Sequence, residues 1–496
     1  MKKWLKIKFQ TIVLLLVFIA KDATGFDTNA LATKLQSMAL GLEKSLTINH
    51  NFLPVFDVLK DFGACNDGKK LTTKQLQNAI DACSKIGTGR VLFPKGIYLT
   101  GTLILKSGVH LEFSEGSKII GSADEKDYLI LYPAYKSNTD RQVNKSLFYA
   151  ENVETLSMTG NVVIDFQGTH SVYSNTGNND PKRPFGIRFV SSKNIYLNGL
   201  SLMNSPQWMQ HYLDCENVMI ENLTVFNHAH QNNDGIDIDG CRNVYVRNCL
   251  IDSDDDAICL KSNGPRACEN ILIEGCVASS HCNALKLGTE TTGGFKNVLY
   301  RNCKVVPSST GANHINGTET TISGISLIIT DGGTMENVWF DNIDMSECIT
   351  PIFLTLGNRS RKYADEVSEP EIGSIRNVKI SNLKAIGAGP RSSSITGLNN
   401  LHLVQNIILE NISIEFAHAG SNEDRWTNME LLLQKKKSSY PSPHMLGNLP
   451  TYGFYFRYID GIQLTNIELI LKCKDPREAL MFEECKNSSE RNIVKK

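Results

Sequence analysis

At 496 residues the chain is long enough for several domains, or for one repetitive domain, and only internal repeats decide between them. Its formal net charge is −1, and no long basic or acidic run breaks the balance. Nucleic acid is therefore excluded as the main expected partner.

The N-terminus reads as a targeting segment. Lys2, Lys3, Lys6 and Lys8 precede an apolar run from Ile12 to Ala20, and Ala20 or Ala23-Thr24-Gly25 offers small residues for cleavage. The run falls short of the roughly 20 residues that span a bilayer. Residues 1–25 are expected to be a cleaved signal peptide, the body being secreted or periplasmic without stable membrane insertion. An uncleaved anchor is the alternative, and it too exports the body. The first cysteine is Cys65, which leaves no lipid-attachment site near the apolar run.

Residues 26–54 form an N-terminal extension in which Asp27 to Lys44 is weakly amphipathic at helical spacing. The body is assigned to residues 55–496. Phe56 and Val58 suggest a first strand, followed by a turn. Thr72 and Gln75 have the spacing of a capping box. Leu76, Ala79, Ile80 and Cys83 then share one helical face, and Gly87 ends the helix. A solenoid leaves the apolar end of its first coil uncovered, so this helix is expected to cap it.

Beyond Arg90 short alternating strands replace the helical pattern. A nine-residue unit recurs, beginning at Asn194, Asn217, Asn243, Asn270, Asn297, Asn337, Asn377 and Asn406, and last at Gly461. Its spacing is mostly 23 to 29 residues, a solenoid period. The leading Asn suits a left-handed turn, and stacked Asn amides can bond from coil to coil. Alternation at period two puts one face inward. These features predict an all-β, right-handed parallel β-helix; a propeller would need longer repeats and hairpins. Cys249, Cys276 and Cys303 recur at one position in consecutive units, which predicts a column of buried thiols; export would permit disulfides, whose connectivity the sequence does not give. Insertions at Leu129–Asn144, Tyr173–Pro184, Ser308–Ser323, Asn358–Glu371 and Ala417–Tyr452 are expected to protrude as groove walls.

Stacking the units locates a candidate site. Ile236 and Ile238 align with Ile258 and Leu260, with Leu285 and Leu287, and with Ile325 and Leu327. The outward columns then read Asp237–Cys259–Lys286–Ser326 and Asp239–Lys261–Gly288–Ile328. The turn before these strands holds Asp234, Asp256 and Asn283, with Asp255 next door. Strands lie about 4.8 Å apart, so Asp234 and Asp256 should be neighbours. Like charges that close drive their pKa values apart and can supply both an acid and a base. Calcium held by Asp234, Asp237, Asp239, Asp254 and Asp256 is the other reading of so many carboxylates.

These residues resemble glycoside hydrolase family 28, the polygalacturonases and rhamnogalacturonan hydrolases. Asn232-Asn233-Asp234-Gly235 is similar to the family's Asn-Thr-Asp-Gly motif, with Asn233 in place of Thr, and Asp255-Asp256 to its Asp-Asp motif. Ser205–His211 and Tyr440–Gly453 resemble segments of bacterial members. The resemblance implies a pectin-lyase-like β-helix that inverts the anomeric centre. It also implies Asp255 as general acid, Asp234 and Asp256 activating water, and Asn232 binding substrate. Two motifs depart. Asn283 stands where the family has His, with His281 nearby, and Ser326 and Ile328 stand where it has an Arg and a Lys that grip the uronate carboxylate. Lys286, with Lys261, is expected to supply the missing charge. Asp237 and His211 complete the expected substrate contacts, and Trp208 is either a sugar platform or core. His228 and His230 either line the groove or are solvated beside it.

The reading is thus a monomeric pectic glycosidase that needs no metal or other cofactor. A calcium-dependent lyase on the same fold and a non-catalytic carbohydrate-binding solenoid are its rivals. Sequons at Asn144, Asn222, Asn316, Asn358, Asn411 and Asn487 matter only in a eukaryotic secretory route.

Overall fold

The structure is a computed structural model that describes residues 26–47, 52–141, 143–177, 180–310, 320–429 and 440–496. The expected signal peptide lies outside the described residues. Strand pairing is parallel throughout the named strands and runs from each coil to the next, so the chain closes into a parallel β-helix. Among the described residues, no helix is long and apolar enough to cross a membrane.

The expected register holds along the central wall. Ile236 pairs with Ile258, Ile258 with Leu285, and Leu285 with Ile325, and all four are fully buried. Asp237, Cys259, Lys286 and Ser326 form the outward column as expected. The next column breaks. Asp239 pairs with Lys261, but Ser262 then pairs with Thr291, so Gly288, Thr289 and Glu290 bulge outward instead of continuing it.

The repeating Asn forms a ladder. Asn217 donates its amide to Asn194, Asn243 to Asn217, Asn270 to Asn243 and Asn297 to Asn270, at 3.0–3.1 Å. The same ladder continues through Asn337, Asn377 and Asn406. Each rung has φ between 54° and 57°, the left-handed region where Asn is tolerated better than other side chains. The thiols of Cys249, Cys276 and Cys303 are buried and free, in the expected column.

The capping helix α2 (Thr73–Lys85) buries Leu76, Ala79, Ile80 and Cys83, as its periodicity requires. Its capping box does not form. The Thr72 hydroxyl accepts from the Cys65 amide at 2.9 Å instead, because the turn leading into the helix folds back over it.

The extension is not a separate body. Helix α1 (Thr28–Leu46) lies along the outside of the coil, burying Leu31, Leu35, Ala39 and Leu42 against Tyr196, Met219, Tyr245, Leu272 and Leu299. Those five stack in register, each the outward residue two places after a ladder Asn. Glu43 closes the contact with a 3.0 Å ion pair to Arg247.

Asn270→Gly should lower stability by about 1–2 kcal/mol through the lost amide bonds. Asn270→Ala should cost about 1–2 kcal/mol more, since alanine resists the left-handed turn. Melting temperatures of the two variants against wild type measure the difference.

Candidate active site

The chain turns sharply before each wall strand, and those turns carry the acids. Gly235 follows Asp234 because nothing larger fits: a Cβ there would lie 2.3 Å from the Ile251 side chain and 2.6 Å from the Ala257 carbonyl oxygen. The Gly235 amide donates to the Asp256 carbonyl, and the Ala257 amide to the Asn283 carbonyl, which locks the three turns in one column. Asp255 is held by its backbone. The hydroxyls of Ser253 and Ser280 both donate to its carbonyl oxygen, at 2.9 and 2.6 Å. Its amide donates to the Asn233 side chain at 3.2 Å, so the Asn that replaces the family's Thr orients the adjacent acid.

Asp234 and Asp256 are 2% and 1% exposed, whereas Asp255 is more open. Asn232 reaches Asp255 with a long 3.5 Å bond, and its own buried amide oxygen finds no partner among the described residues. Asn283 donates to Asp256 at 2.6 Å while accepting from the Ser323 hydroxyl at 2.5 Å.

Two buried lysines balance these acids. The Lys286 ammonium donates to Asp256 at 2.6 Å and to the Tyr440 hydroxyl at 2.8 Å. Lys261 sits among Asp234, Asp237, Asp256 and Glu290, at 3.2, 3.3, 3.9 and 3.8 Å. It therefore fills the space among the carboxylates that a calcium ion would need. The Trp208 ring lies beneath Lys261 at 4.5 Å, and the Tyr440 ring beside Lys286 at 5.5 Å, so an aromatic flanks each ammonium. Trp208 is half-buried at the wall rather than core.

Burial pushes the carboxyls of Asp234, Asp237 and Asp255 above their ordinary range, and neighbouring negative charge adds to it. Asp234, Asp237, Asp256 and Glu290 all lie within 4 Å of the Lys261 ammonium, and Lys286 adds a second cation at Asp256. Carboxyls raised by burial beside carboxyls paired with lysine are the arrangement that can supply both a proton donor and a proton acceptor.

The remaining expected contacts fall elsewhere. Lys286 is 1% and Lys261 4% exposed, and each is held against the nearest buried anion. Asp237 lies behind the surface against Lys261. His211 is fully buried with a 3.0 Å bond to Asp239. His281 points away from the trio to Asp254, at 2.8 Å. His230 is engaged by Thr176 and the Tyr173 carbonyl at the foot of the second insertion.

Three groups escaped the sequence reading. Glu290 arrives through the bulge and binds Arg361 at 2.8 Å as well as Lys261. Arg359 and Arg361, from the insertion after Asn358, converge on Asp331. Tyr440 reaches over from the last insertion, the residue as a whole 52% exposed. Charged residues in a bulge or a long insertion carry no register signal, and Tyr440 was legible only as the first residue of a segment resembling bacterial members.

The family model for glycosyl hydrolases family 28 matches residues 83–438, which include the three acids and both lysines but not Tyr440. The chain belongs to glycosyl hydrolases family 28. Over 214 residues it is 31% identical to a probable polygalacturonase of Vitis vinifera, covering 41% of this chain and 44% of that one. Over 263 residues it is 25% identical to an exo-poly-α-D-galacturonosidase of Dickeya chrysanthemi, covering 43% of each. The matched stretch thus spans less than half the length of these curated relatives. The fold is similar to a hyperthermoactive exopolygalacturonase of Thermotoga maritima, with TM-score 0.62, 24% identity, and 77% and 92% of the two chains covered. It is also similar to a family 28 exopolygalacturonase of Yersinia enterocolitica, with TM-score 0.63, 19% identity, and 88% and 78% covered.

Lys286→Ala removes a charge-assisted bond to Asp256, so kcat should fall about 10–100-fold, with KM less affected. Steady-state kinetics on charged and neutral oligosaccharides test this; a change confined to KM for uronates would mean that Lys286 grips substrate. A second expectation concerns acid stability. Burial opposes ionisation of Glu290, but Lys261, Arg361 and Arg359 outweigh it and hold the carboxyl well below 4.5. A depressed folded pKa stabilises above the unfolded value and loses that contribution as pH falls below it. The melting-temperature gap between wild type and Glu290→Gln should therefore be constant near neutrality and shrink below about pH 4.5.

Proposed function

We propose that this protein is an exported hydrolase that cleaves O-glycosidic bonds in a pectic polysaccharide of galacturonan or rhamnogalacturonan type, inverting the anomeric centre. The observation that carries the reading is the trio itself: an open Asp255 between two buried, lysine-paired carboxylates on one rigid wall.

In this reading Asp255 gives its proton to the leaving glycosidic oxygen as the C–O bond breaks. A water held by Asp234 and Asp256 passes its proton to them and attacks the anomeric carbon from the opposite face. Lys261 lies 3.2 Å from Asp234 and Lys286 2.6 Å from Asp256, so each acceptor has a cation beside it. Asn232, only partly buried and within reach of Asp255, is placed to meet a sugar near the scissile bond. The rings of Trp208 and Tyr440 flank the trio and suit apolar sugar faces. Arg361, 35% exposed beside Glu290, is a cation on this wall open to an approaching uronate.

A panel of defined pectic oligosaccharides, followed by proton NMR, tests the proposal. The first-formed product should have the inverted anomer, and Asp255→Asn should lose about 10²–10⁴-fold in kcat while retaining binding. Retained configuration, or unsaturated UV-absorbing products, would overturn it.

A further inference from the structure

We infer that the turn directly beneath the trio is a binding site for a transition-metal dication of the zinc class, built from His228, Asp254 and His281. The inference rests on this cluster alone and is independent of the hydrolytic reading. The three residues occupy one rung of successive coils. Asn227, Ser253 and Ser280 pair in register as the last residues of their strands, and the three ligands follow them. One ring nitrogen of each histidine and a carboxylate oxygen of Asp254 all lie within 4.8 Å of one another. Two imidazoles and a carboxylate are the donors that zinc and its neighbours favour.

The surroundings have the form of a metal site's outer shell. The Nδ1 atoms of His228 and His281 both face Asp254 Oδ1, at 2.6 and 2.8 Å. His228 turns its other nitrogen to Asp252, 3.0 Å away. That carboxylate is itself fixed by the Ser308 hydroxyl at 2.7 Å and by the Ser309 amide and hydroxyl at 3.0 and 2.6 Å. A carboxylate behind a ligating histidine, held in turn by further donors, sets the ring's tautomer and raises its basicity. Thr310 places its hydroxyl 3.3 Å from His228 Nδ1. The second oxygen of Asp254 is buried without a partner among the described residues, although Asp254 is only 2% exposed. An orphaned carboxylate oxygen at such a point is costly unless something positive meets it.

The protons of two hydrogen bonds now join the imidazoles to Asp254. A metal replacing them needs donor separations of about 3.3 Å, the edge of a tetrahedron with bonds near 2.05 Å, so the rung must open by roughly half an ångström. Protons leave as it binds. The path is short, since His228 and Asp252 have 9% and 17% exposed side chains. The ion would tie together the turns that lead to Asn232, Asp255 and Asn283, making its ligands positioning residues for the acid.

The test uses the full chain, stripped with chelator and titrated with ZnCl2 by calorimetry, with bound metal counted after gel filtration. One equivalent should bind, with proton release and a raised melting temperature, and Asp252→Asn should weaken it about 10–100-fold. His228→Gln/His281→Gln should lose it. CoCl2 added to wild type should give the visible absorption of a four-coordinate nitrogen and oxygen site, a readout that needs no variant. Failure of wild type to retain either metal, or retention by a folded double variant, would overturn the inference. Neither result bears on the stereochemistry of hydrolysis.

Discussion

Parallel pairing at fixed register is the constraint from which everything else in this protein follows. Each coil lays its residues directly over those of the coil before, about 4.8 Å away. Inward, this stacks Ile, Leu and Val into a continuous core, and at the turns it stacks Asn on Asn. It also forces Asp234 over Asp256, an arrangement that free side chains would avoid. The backbone cannot relax the repulsion, because a one-residue slip would carry the whole apolar set of the strand out of the core.

The site is what remains after that repulsion is balanced. Lys261 and Lys286 lie in the same stack and reach their nearest anions, at the expense of their own exposure. Removing one partner of such a buried pair is far costlier than the pair's net worth. The two lysines are thus committed to the acids of the wall. The bulge at Gly288–Glu290 then introduces a further acid, and the arginines of a protruding insertion answer it. Charge pairs thus spread outward from the trio, from the rigid wall to the groove's edge.

The same stacking accounts for features away from the acids. The outward apolar residue two places after each ladder Asn forms a stripe from Tyr196 to Leu299, and helix α1 covers it. The amphipathic extension and the stripe are each half of one interface, separated by more than 150 residues of sequence. Beneath the trio, His228, Asp254 and His281 form a rung of a different character, ionisable where the rung before it is Asn227, Ser253 and Ser280.

The repeat by itself determined the fold, the inward columns, the Asn ladder and the meeting of Asp234 with Asp256, because in-register stacking turns sequence spacing directly into distance. It also carried the family resemblance, since the acidic motifs are local. The tertiary structure alone decided where charge goes. It turned Lys286 onto Asp256, hid Asp237 and His211, aimed His281 at Asp254, and brought Glu290, Arg361 and Tyr440 to the wall. Those outcomes depend on bulges and insertions that leave the register, and on long side chains that choose among several buried partners by electrostatic energy, which no spacing along the chain records.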